Sequence, residues 1–414
     1  NEKKRFILQR LKNFQIPVFK VPSIGDLTNG IAKIDSLIPI EVEDLLGRIQ
    51  VDPDLELLNL STKDSNICIT GAGGSIGKEI CRQIIKLDPK SLILIEINEF
   101  SLYKLEQEIT NLLTSDNKIK IFYRLGNVCN YKFVNKVFDQ FKIDIVYHAA
   151  AYKHVPLIES NPLQGIQNNI FSTDAICKAA YKNKLSKVIF ISTDKAVRPT
   201  NVMGASKRLA EQILQYYSDK ITRNIKTKNK SGNISTKFSI VRFGNVLGSS
   251  GSVVPLFKKQ ISEGGPITLT DKEVIRYFMT IQEAAQLVIQ ASSLSKGGDV
   301  FLLDMGKPIK IYDLAEHMIK LSGLKVKNFE NPHGDIEIVT TGLRPGEKLY
   351  EELLIDGDPE KTKHPLIFKA NEKSLSSNEI ENCLSLMKQS IDNFDESNAI
   401  SLLSFYVSEW ENNL

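Results

Sequence analysis

The sequence predicts an α/β protein built on a doubly wound parallel sheet, with a smaller mixed domain after it. Apolar runs rich in β-branched residues recur at 67–70, 92–97, 119–123, 143–147, 188–191 and 238–241. Between most of these runs, apolar residues such as Ile80, Ile84 and Ile85 have helical spacing. Strands that alternate with helices indicate parallel pairing through right-handed crossovers. After about residue 245 the segments become shorter and less regular, which indicates a second domain.

Composition and charge are those of an ordinary soluble globular protein. The chain has 414 residues, of which 42% are hydrophobic and 25% are charged, enough for one large and one smaller domain. The net charge of +4 is spread along the chain, so we expect no nucleic-acid partner. The five cysteines are scattered and form no C-x-x-C pair. This pattern predicts reduced thiols in a cytoplasmic protein, with no metal site.

The beginning of the chain reads as a segment that precedes the domains. Pro17, Pro22 and Pro39 interrupt short mixed stretches within residues 1–62. No apolar run reaches the roughly 18 residues that span a bilayer, and no signal peptide is visible. The first residue is Asn1 and not Met, which is compatible with a membrane region upstream. We therefore expect a cytoplasmic protein, or one held by such a region at the cytoplasmic face of the inner membrane.

A glycine-rich turn follows the first predicted strand and opens a helix. Glycines at positions 71, 74 and 77 of Gly71-Ala-Gly-Gly-Ser-Ile-Gly77 permit a tight turn and a close backbone approach to a pyrophosphate. The helix N-terminus adds free N–H groups and a positive dipole end. Glu96 ends the second strand, where a carboxylate binds both ribose hydroxyls of NAD and repels the 2′-phosphate of NADP. The strand–turn–helix context predicts a Rossmann-type domain with NAD as its cofactor.

Further cofactor contacts are expected after the third and fourth strands. Residues 126–128 are candidates for the adenine, and the small residues at 149–151 leave room for a cofactor against the sheet. His148 and His154 have the wrong spacing for a metal pair, so we predict packing or capping roles. The expected domains are 1–62 as the preceding segment, 63–245 for NAD and 246–414 for the substrate. The last domain ends in two helices from residue 378, and some of its elements are expected to return to the first sheet.

Six motifs between residues 60 and 360 give the chain a family resemblance. They are TGAGGSIG at 70–77, HAAAYKHVP at 148–156, STDKAVRPTN at 192–201, VRFGNVLGS at 241–249, RYFMT at 276–280 and LRPGE at 343–347. Together they resemble the extended short-chain dehydrogenase/reductases that modify nucleotide sugars. Within these, the chain looks similar to the UDP-N-acetylglucosamine 4,6-dehydratases of bacterial polysaccharide and glycan biosynthesis. Glu96 and Asn127 depart from the pattern, since relatives often have Asp at both positions.

The resemblance implies a reaction in three steps on UDP-N-acetylglucosamine. Hydride leaves sugar C4 for NAD, water is lost across C5 and C6, and hydride returns to C6. The product is a 4-keto-6-deoxy sugar. The cofactor carries the redox step, while the protein supplies positioning and proton transfer.

Relatives usually have a tyrosine base four residues before the lysine that corresponds to Lys207, but here that position is Met203. A thioether cannot take a proton, so Asp194 at the end of a parallel strand is the best substitute base. Lys195 has two possible roles, as a C5 base with a depressed pKa or as the charge partner that keeps Asp194 ionised. Thr193 can bind the C4 oxygen and relay its proton. Lys207 is assigned to the nicotinamide ribose and, as a catalytic residue, to a positive field near the C4 oxygen.

The site residues implied by position and resemblance form two groups. The cofactor group is Gly71, Gly73, Gly74, Ser75, Ile76, Gly77, Glu96, Asn98, Gly126, Asn127, Val128, Ala149, Ala150, Ala151, Lys153, Asn168, Ser192 and Lys207. The substrate group is Lys153, His154, Met203, Asn245, Ser252, Val253, Lys258, Thr268, Thr270, Arg276, Arg344 and Glu347. Arg276 and Arg344 are the expected phosphate clamps, because guanidinium binds phosphate bidentately. Glu347 is assigned to the uridine ribose, and Thr268 and Thr270 are assigned to the uracil or the ribose.

Three alternatives stay open at this stage. A UDP-sugar 4-epimerase would share NAD, the fold and the UDP site, but it needs no C5 base. A C5-inverting dehydratase generally has the tyrosine that Met203 replaces, so retention at C5 is favoured. A catalytically silent NAD-binding scaffold would explain Met203 as lost activity.

Helices that flank the sheet often form dimers in this fold, so we expect a homo-oligomer. Finally, the polar stretch at 224–235 predicts an exposed loop.

Overall fold

A computed structural model describes residues 19–20, 38–39, 51–113, 119–228, 236–354, 358–372 and 374–410. Strands β1 (Phe19–Lys20) and β2 (Ile38–Pro39) pair antiparallel. Most of the predicted preceding segment, 1–62, lies outside the described residues.

The end of that segment packs on the sheet that follows. Helix α1 (Leu55–Leu60) begins at Asp54, whose carboxylate accepts a hydrogen bond from the backbone N–H of Leu57. Leu58 is buried, and the backbone N–H of Asp54 donates to the Gln290 side chain at 2.9 Å. Residues 54–60 are therefore part of the folded domain.

From Asn66 onwards, strands and helices alternate as the sequence predicts. In chain order the elements are β3 (Asn66–Thr70), α2 (Ser75–Ile84), β4 (Ser91–Glu96), α3 (Glu99–Leu112), β5 (Lys120–Leu125), α4 (Tyr131–Phe141), β6 (Ile145–His148), α5 (Val155–Glu159), α6 (Pro162–Ile166), α7 (Ser172–Asn183), β7 (Lys187–Ile191), α8 (Val202–Lys228) and β8 (Lys237–Arg242). All six predicted strands are present, and Glu96 ends the second of them. Every residue of β3 and β4 is buried, because helices cover both faces of a parallel sheet.

The remaining elements are shorter. They are β9 (Asn245–Val246), α9 (Val253–Ser262), β10 (Ile267–Leu269), β11 (Ile275–Arg276), β12 (Phe278–Met279), α10 (Ile281–Leu294), β13 (Asp299–Leu303), β14 (Ile309–Lys310), α11 (Ile311–Leu321), β15 (Val326–Lys327), β16 (Ile336–Thr340), β17 (Glu360–Lys361), β18 (Ile367–Ala370), α12 (Ser377–Asp392) and α13 (Glu396–Tyr406). The last two are the pair of helices that the sequence predicts.

The prediction of an exposed loop at 224–235 is wrong for its first residues. Helix α8 continues through Lys228, so residues 224–228 are helical, whereas 229–235 lie outside the described residues. A helix that has already nucleated gains one hydrogen bond for each added residue, which lets it extend into a polar sequence.

The central sheet has nine strands in the described part of the chain, in the order β17-β18-β13-β8-β7-β6-β3-β4-β5. The seven strands from β13 to β5 are parallel, β18 pairs antiparallel with β13, and β17 pairs antiparallel with β18. Strand β13 pairs with β8 although it follows residue 245 by more than fifty positions. The later part of the chain therefore returns to the first sheet.

Helices cover both faces of this sheet, and a third apolar cluster forms the smaller domain. Helices α4, α7, α8, α12 and α13 contribute to the cluster on one face, and α1, α2, α3 and α10 to the cluster on the other. Helices α9 and α11 pack with β10 and β16 in the third cluster. Helix α2, which follows β3, packs on one face of the sheet, and α4, which precedes β6, packs on the other. A crevice therefore opens between the carboxyl ends of β3 and β6, where sheets of this kind bind ligands.

Candidate functional site

The turn between β3 and α2 has room only for glycine at its two ends. Gly71 has φ of +64°, and a Cβ there would lie 2.7 Å from the Cα of Ala150. A Cβ on Gly77 would lie 2.2 Å from the carbonyl oxygen of Gly71. Gly74 is the N-cap of α2 and provides no side-chain cap, so the first N–H groups of the helix remain available to an anion. The turn therefore fits the pyrophosphate of a dinucleotide.

Glu96 is held at the edge of this turn by three backbone N–H groups. Its Oε2 accepts from Gly73 at 2.9 Å, and its Oε1 accepts from Ile97 and Asn98 at 2.9 and 3.0 Å. Asn98 also caps α3 through the N–H of Ser101. The carboxylate predicted to bind a ribose is thus fixed beside the glycine turn, next to which a nucleoside would lie.

The other predicted cofactor residues surround the same crevice. A Cβ on Gly126 would lie 2.4 Å from the ring of Phe133, so this position also has room only for glycine. The Oδ1 of Asn127 accepts from the N–H of Cys129 at 2.8 Å, while Val128 is buried beneath it. The backbone N–H of Ala149 donates to the carbonyl of Thr70 at 3.1 Å, which holds this strand end against β3.

Lys207 is buried in the first turns of α8, and burial lowers the pKa of its amine to about 7. Its Nζ donates to the carbonyl of Ile191 at 2.7 Å and lies 3.8 Å from the centre of the Phe190 ring. Glu211, one turn further along α8, opposes the shift only in part. The lysine is therefore poised to change its charge near neutral pH.

His148 is a buried neutral side chain. Its Nδ1 lies 2.7 Å from Thr70 Oγ1, and its Nε2 lies near Ser172 and Thr173. Burial, reinforced by the charge of Lys207, lowers the pKa of the imidazole to about 3. These contacts give His148 the packing role that the sequence predicts.

The predicted acid–base residues form a short 3₁₀ turn after β7, at Asp194–Ala196. Thr193 Oγ1 donates to Asp194 Oδ1 at 2.8 Å, and Lys195 Nζ donates to the same oxygen at 3.0 Å. Asp194 Oδ2 is buried and has no hydrogen-bond partner among the described residues. A Cβ on Gly244 would lie 2.9 Å from this oxygen, so a larger residue there would crowd it. One oxygen of the carboxylate is thus anchored and the other is free to accept a proton.

Lys195 connects this turn to the smaller domain. Its Nζ donates to Asn245 Oδ1 at 3.1 Å and lies 3.8 Å from Glu351 Oε1. Burial opposes its charge, but Asp194 and Glu351 outweigh burial and raise the pKa of Lys195 above its usual value. Of the two roles considered for Lys195, that of an ammonium partner for Asp194 fits this geometry.

Two predicted site residues face the protein interior. Met203 is 3% exposed and belongs to the apolar cluster around α8, so the structure gives it a packing role, and its contact with substrate stays a prediction. Ser192 donates its hydroxyl hydrogen to Glu211 Oε1 at 2.7 Å. Asn168 donates to the side chain of Asn169, which in turn binds Ser206 at 3.0 Å.

Behind Ser192 lies a buried network of ion pairs. Arg242 is fully buried and donates to Glu211 at 2.7 Å and to Glu372, which follows β18. Arg208 is also buried, and it donates to Glu372 and to Glu409 after α13, both at 2.9 Å. Each buried guanidinium thus has more than one carboxylate partner, as buried charges require.

In the smaller domain the structure brings together two residues predicted for the uridine. Thr270 Oγ1 donates to Glu347 Oε1 at 2.9 Å. Arg276 is buried and donates to the backbone carbonyls of Lys348 and Leu349 at 2.7 and 3.0 Å, so it holds the loop that carries Glu347. Arg344 has an exposed side chain. Of the two predicted clamps, Arg344 is the one with an accessible guanidinium.

The remaining predicted substrate residues lie around the rim. Ser252 is the N-cap of α9, and its buried hydroxyl has no partner among the described residues, which suits an anion. Val253 begins α9, and Lys258 is an exposed residue within it. The hydroxyl of Thr268 instead accepts from Gln260 at 2.8 Å.

Lys153 and His154 connect the rim to the cofactor side. Lys153 Nζ donates to the carbonyl of Ser250 at 2.9 Å. A Cβ on Gly251 would lie 2.4 Å from the His154 ring. Both residues thus contact the loop that leads into α9.

Sequence reasoning missed Glu351 and Glu211. Glu351 lies four residues beyond the LRPGE motif and reads as one of two surface acids, Glu351-Glu352. The sequence pattern predicts that Glu211 lies on the polar face of an amphipathic helix. The sequence feature from which Glu211 could have been found is Lys207, which lies one turn earlier on the same helix.

Two further properties concern the described residues. No group of three or more His, Cys, Asp or Glu side chains there is placed to hold a metal ion. None of their helices combines the length and the apolar character needed to cross a bilayer. The homo-oligomer and the cytoplasmic position stay predictions.

Comparison with known proteins places the chain in a family. Residues 67–372 match the family described as polysaccharide biosynthesis protein. The chain is 49% identical over 339 residues to the capsular polysaccharide biosynthesis protein CapD of Staphylococcus aureus, which covers 82% of this chain and 53% of CapD. The chain thus spans about half the length of CapD. It is also 35% identical over 295 residues to a UDP-glucose 4-epimerase of Rickettsia canadensis, covering 71% of this chain and 79% of that protein.

Solved structures share the fold. Pen from Bacillus thuringiensis superposes with a TM-score of 0.63 at 34% identity, over 80% of this chain and 98% of Pen. DesIV, a dTDP-glucose 4,6-dehydratase from Streptomyces venezuelae solved with NAD, gives a TM-score of 0.56 at 16% identity, over 70% of this chain and 88% of DesIV. With a family match over most of its length, the chain belongs to the polysaccharide biosynthesis protein family and has the fold of the extended short-chain dehydrogenase/reductases.

Proposed function

We propose that this chain catalyses the NAD-dependent dehydration of UDP-N-acetylglucosamine to UDP-2-acetamido-2,6-dideoxy-4-keto-hexose, as an early step of polysaccharide or glycan synthesis. The observation that carries the proposal is the state of Asp194. Its Oδ1 is anchored by Thr193 and Lys195, while its buried Oδ2 has no partner among the described residues. A carboxylate held in this way is suited to accept a proton from a bound sugar.

The glycine turn and Glu96 are suited to NAD. The three backbone N–H groups that bind Glu96 keep its carboxylate beside the turn, where it would bind the adenosine ribose and repel a 2′-phosphate. The N–H groups at the start of α2 would bind the pyrophosphate. When bound, NAD would accept a hydride from C4 and return it to C6.

The proton transfers are assigned to the turn after β7. Thr193 would bind the C4 hydroxyl and pass its proton to Asp194, with which it already shares a hydrogen bond of 2.8 Å. Asp194 would release this proton to water and, as a carboxylate again, would take the C5 hydrogen once C4 is a ketone; it would return a proton to C5 after C6 has been reduced. Lys195, held as an ammonium, would donate a proton to the C6 hydroxyl so that it leaves as water. Lys195 would regain its proton from water, so every proton in the cycle has a source and an acceptor.

The UDP group would lie between α9 and the loop at 343–352. The N-terminus of α9, with the unpartnered hydroxyl of Ser252, suits the diphosphate, and the exposed Arg344 would bind it from the other side. Thr270 and Glu347 would contact the uridine.

A UDP-sugar 4-epimerase is the second candidate. It is favoured by the identity of 35% to a protein named UDP-glucose 4-epimerase. The dehydratase is preferred because epimerisation at C4 needs no base at C5, whereas the Asp194–Lys195 pair supplies both a base and an acid. Met203 in place of the usual tyrosine favours retention at C5 over inversion.

An NMR time course in D₂O with NAD and UDP-N-acetylglucosamine tests the proposal. We expect a 4-keto-6-deoxy product with deuterium at C5 and retained configuration. Asp194→Asn and Lys195→Ala should each lower turnover by at least about a hundredfold. Asp139→Asn is the matched control, because Asp139 is exposed, and its turnover should equal that of the parent. Formation of the C4 epimer without a ketone would favour the epimerase, and near-normal turnover in both active-site variants would exclude the mechanism.

A further inference from the structure

The ammonium of Lys195 lies between two carboxylates that come from different parts of the chain. Asp194 Oδ1 is 3.0 Å away and Glu351 Oε1 is 3.8 Å away. The two acidic side chains are only 2% and 5% exposed, so water screens neither of them well. The mechanism above uses Asp194 and Lys195 and leaves Glu351 without a role.

Glu351 is held in place by the residue that also fixes its loop. Arg276 donates to the carbonyls of Lys348 and Leu349, and its guanidinium lies 3.8 Å from Glu351 Oε1. The carboxyl of Glu351 is thus bounded by Lys195 on one side and Arg276 on the other. It comes from the loop at 343–352, which also carries the residues assigned to UDP.

During the proposed reaction Asp194 gains a proton and becomes neutral. Lys195, whose side chain is 21% exposed, then loses its nearest counter-ion, and an ammonium without a partner is disfavoured where it is partly shielded from water. A second carboxylate within 4 Å prevents that loss. When Asp194 is neutral, its repulsion of Glu351 also disappears, which favours the ionised form of Glu351.

We propose that Glu351 is a positioning residue that keeps Lys195 charged and in place while Asp194 gains and loses its proton. The inference rests on the proposed function in one respect, that Asp194 acts as the base. Glu351 itself does not touch the reacting atoms in this scheme. It acts through Lys195.

The charges around Glu351 agree with this role. Burial raises the pKa of Glu351, Lys195 opposes that shift, Asp194 adds to it, and Arg276 and Lys348 oppose it. The charge of Glu351 in turn helps to raise the pKa of Lys195. The ionisation of Glu351 is therefore sensitive to whether Asp194 carries a proton.

The test compares Glu351→Gln with Glu352→Gln in the full chain. Glutamine keeps the shape of the side chain and removes its charge. Glu352 is the adjacent residue, is 45% exposed and pairs with Arg198 at 2.9 Å, so it is a matched control. We expect Glu351→Gln to lower kcat by about tenfold or more, with the KM for UDP-N-acetylglucosamine changed by less than about twofold. Glu351→Asp, which keeps the charge, should recover part of kcat.

Two further readouts follow the pKa of Lys195, and the second of them needs no turnover. In Glu351→Gln the pKa of Lys195 should fall, so the basic limb of the kcat profile moves to lower pH. An amine-reactive reagent should also label Lys195 faster than in the parent or in Glu352→Gln, with exposed lysines of the same digest as the reference. If the parent does not turn over UDP-N-acetylglucosamine, the proposed function fails and the labelling rate alone decides about Glu351. Unchanged labelling, or faster labelling with unchanged kcat, would overturn the inference.

Discussion

Replacing Lys207 with methionine is expected to stabilise the fold while it removes a site residue. The ammonium of Lys207 is disfavoured by burial, and the pKa falls from 10.5 to about 7. This pKa is lower in the folded than in the unfolded chain, so the unfolded chain binds the proton more tightly. The penalty on folding is therefore full below about pH 7 and fades as the pH rises from there towards 10.5.

The magnitude follows from the gap between the two pKa values. At 1.36 kcal/mol per pKa unit, the full penalty is about 5 kcal/mol. The methionine variant lacks two contacts that Lys207 makes, the hydrogen bond to Ile191 and the contact with the Phe190 ring, each worth about 1 kcal/mol. The variant should thus be more stable than the parent by about 3 kcal/mol near pH 6.5 and should lose nearly all of this advantage by about pH 9.5.

Urea unfolding at the two pH values measures this difference. Trp410 is the single tryptophan and is buried, so its fluorescence reports unfolding of the main core. Lys178→Met is the control, because Lys178 also lies over an aromatic ring, that of Tyr131, but is exposed. Its effect should not vary with pH. A difference between the parent and the Lys207 variant that stays constant across this range would refute the reasoning.

Two further predictions concern the arginines. Arg344→Ala should raise the KM for the UDP-sugar by about tenfold or more without changing stability, because the side chain is exposed; an unchanged KM in steady-state kinetics would exclude the clamp. Arg242→Met should lower the free energy of unfolding by about 3–5 kcal/mol, since it leaves Glu211 and Glu372 short of a partner. Arg82→Met, which breaks half-exposed pairs, should cost less than about 1 kcal/mol in the same urea measurement, and equal losses in the two variants would contradict the argument.

The parts of the fold that could be predicted are those that depend on local sequence. Strands such as β3 and β4 are buried on both faces, so they appear in the sequence as short continuous runs of β-branched residues. The turn at 71–77 could be predicted because close backbone contacts at Gly71 and Gly77 exclude every residue except glycine at those two positions. The 3₁₀ turn at Asp194–Ala196 follows a strand end, where such sheets bind their ligands.

The parts that could not be predicted depend on contacts between distant segments. Helix α8 contains Arg208 and Glu211, which read as a solvated face, yet every residue from 202 to 218 is buried. The cause is that α12 and α13 cover the face that the sequence leaves polar. Glu351 was missed for the same reason, because its contact with Lys195 joins two segments whose spacing in the sequence carries no pattern.

The buried arginines also bear on the order in which the chain is made. Arg208 and Arg242 find their carboxylate partners at Glu372 and Glu409, which are 130 to 201 residues later in the chain. Glu372 emerges from the ribosome well after both arginines, and Glu409 emerges later still, so the two guanidinium groups lack part of their partners while the NAD-binding half is being made. The ion-pair network of the NAD-binding half is therefore completed only by residues 372 and 409, after that half has been synthesised.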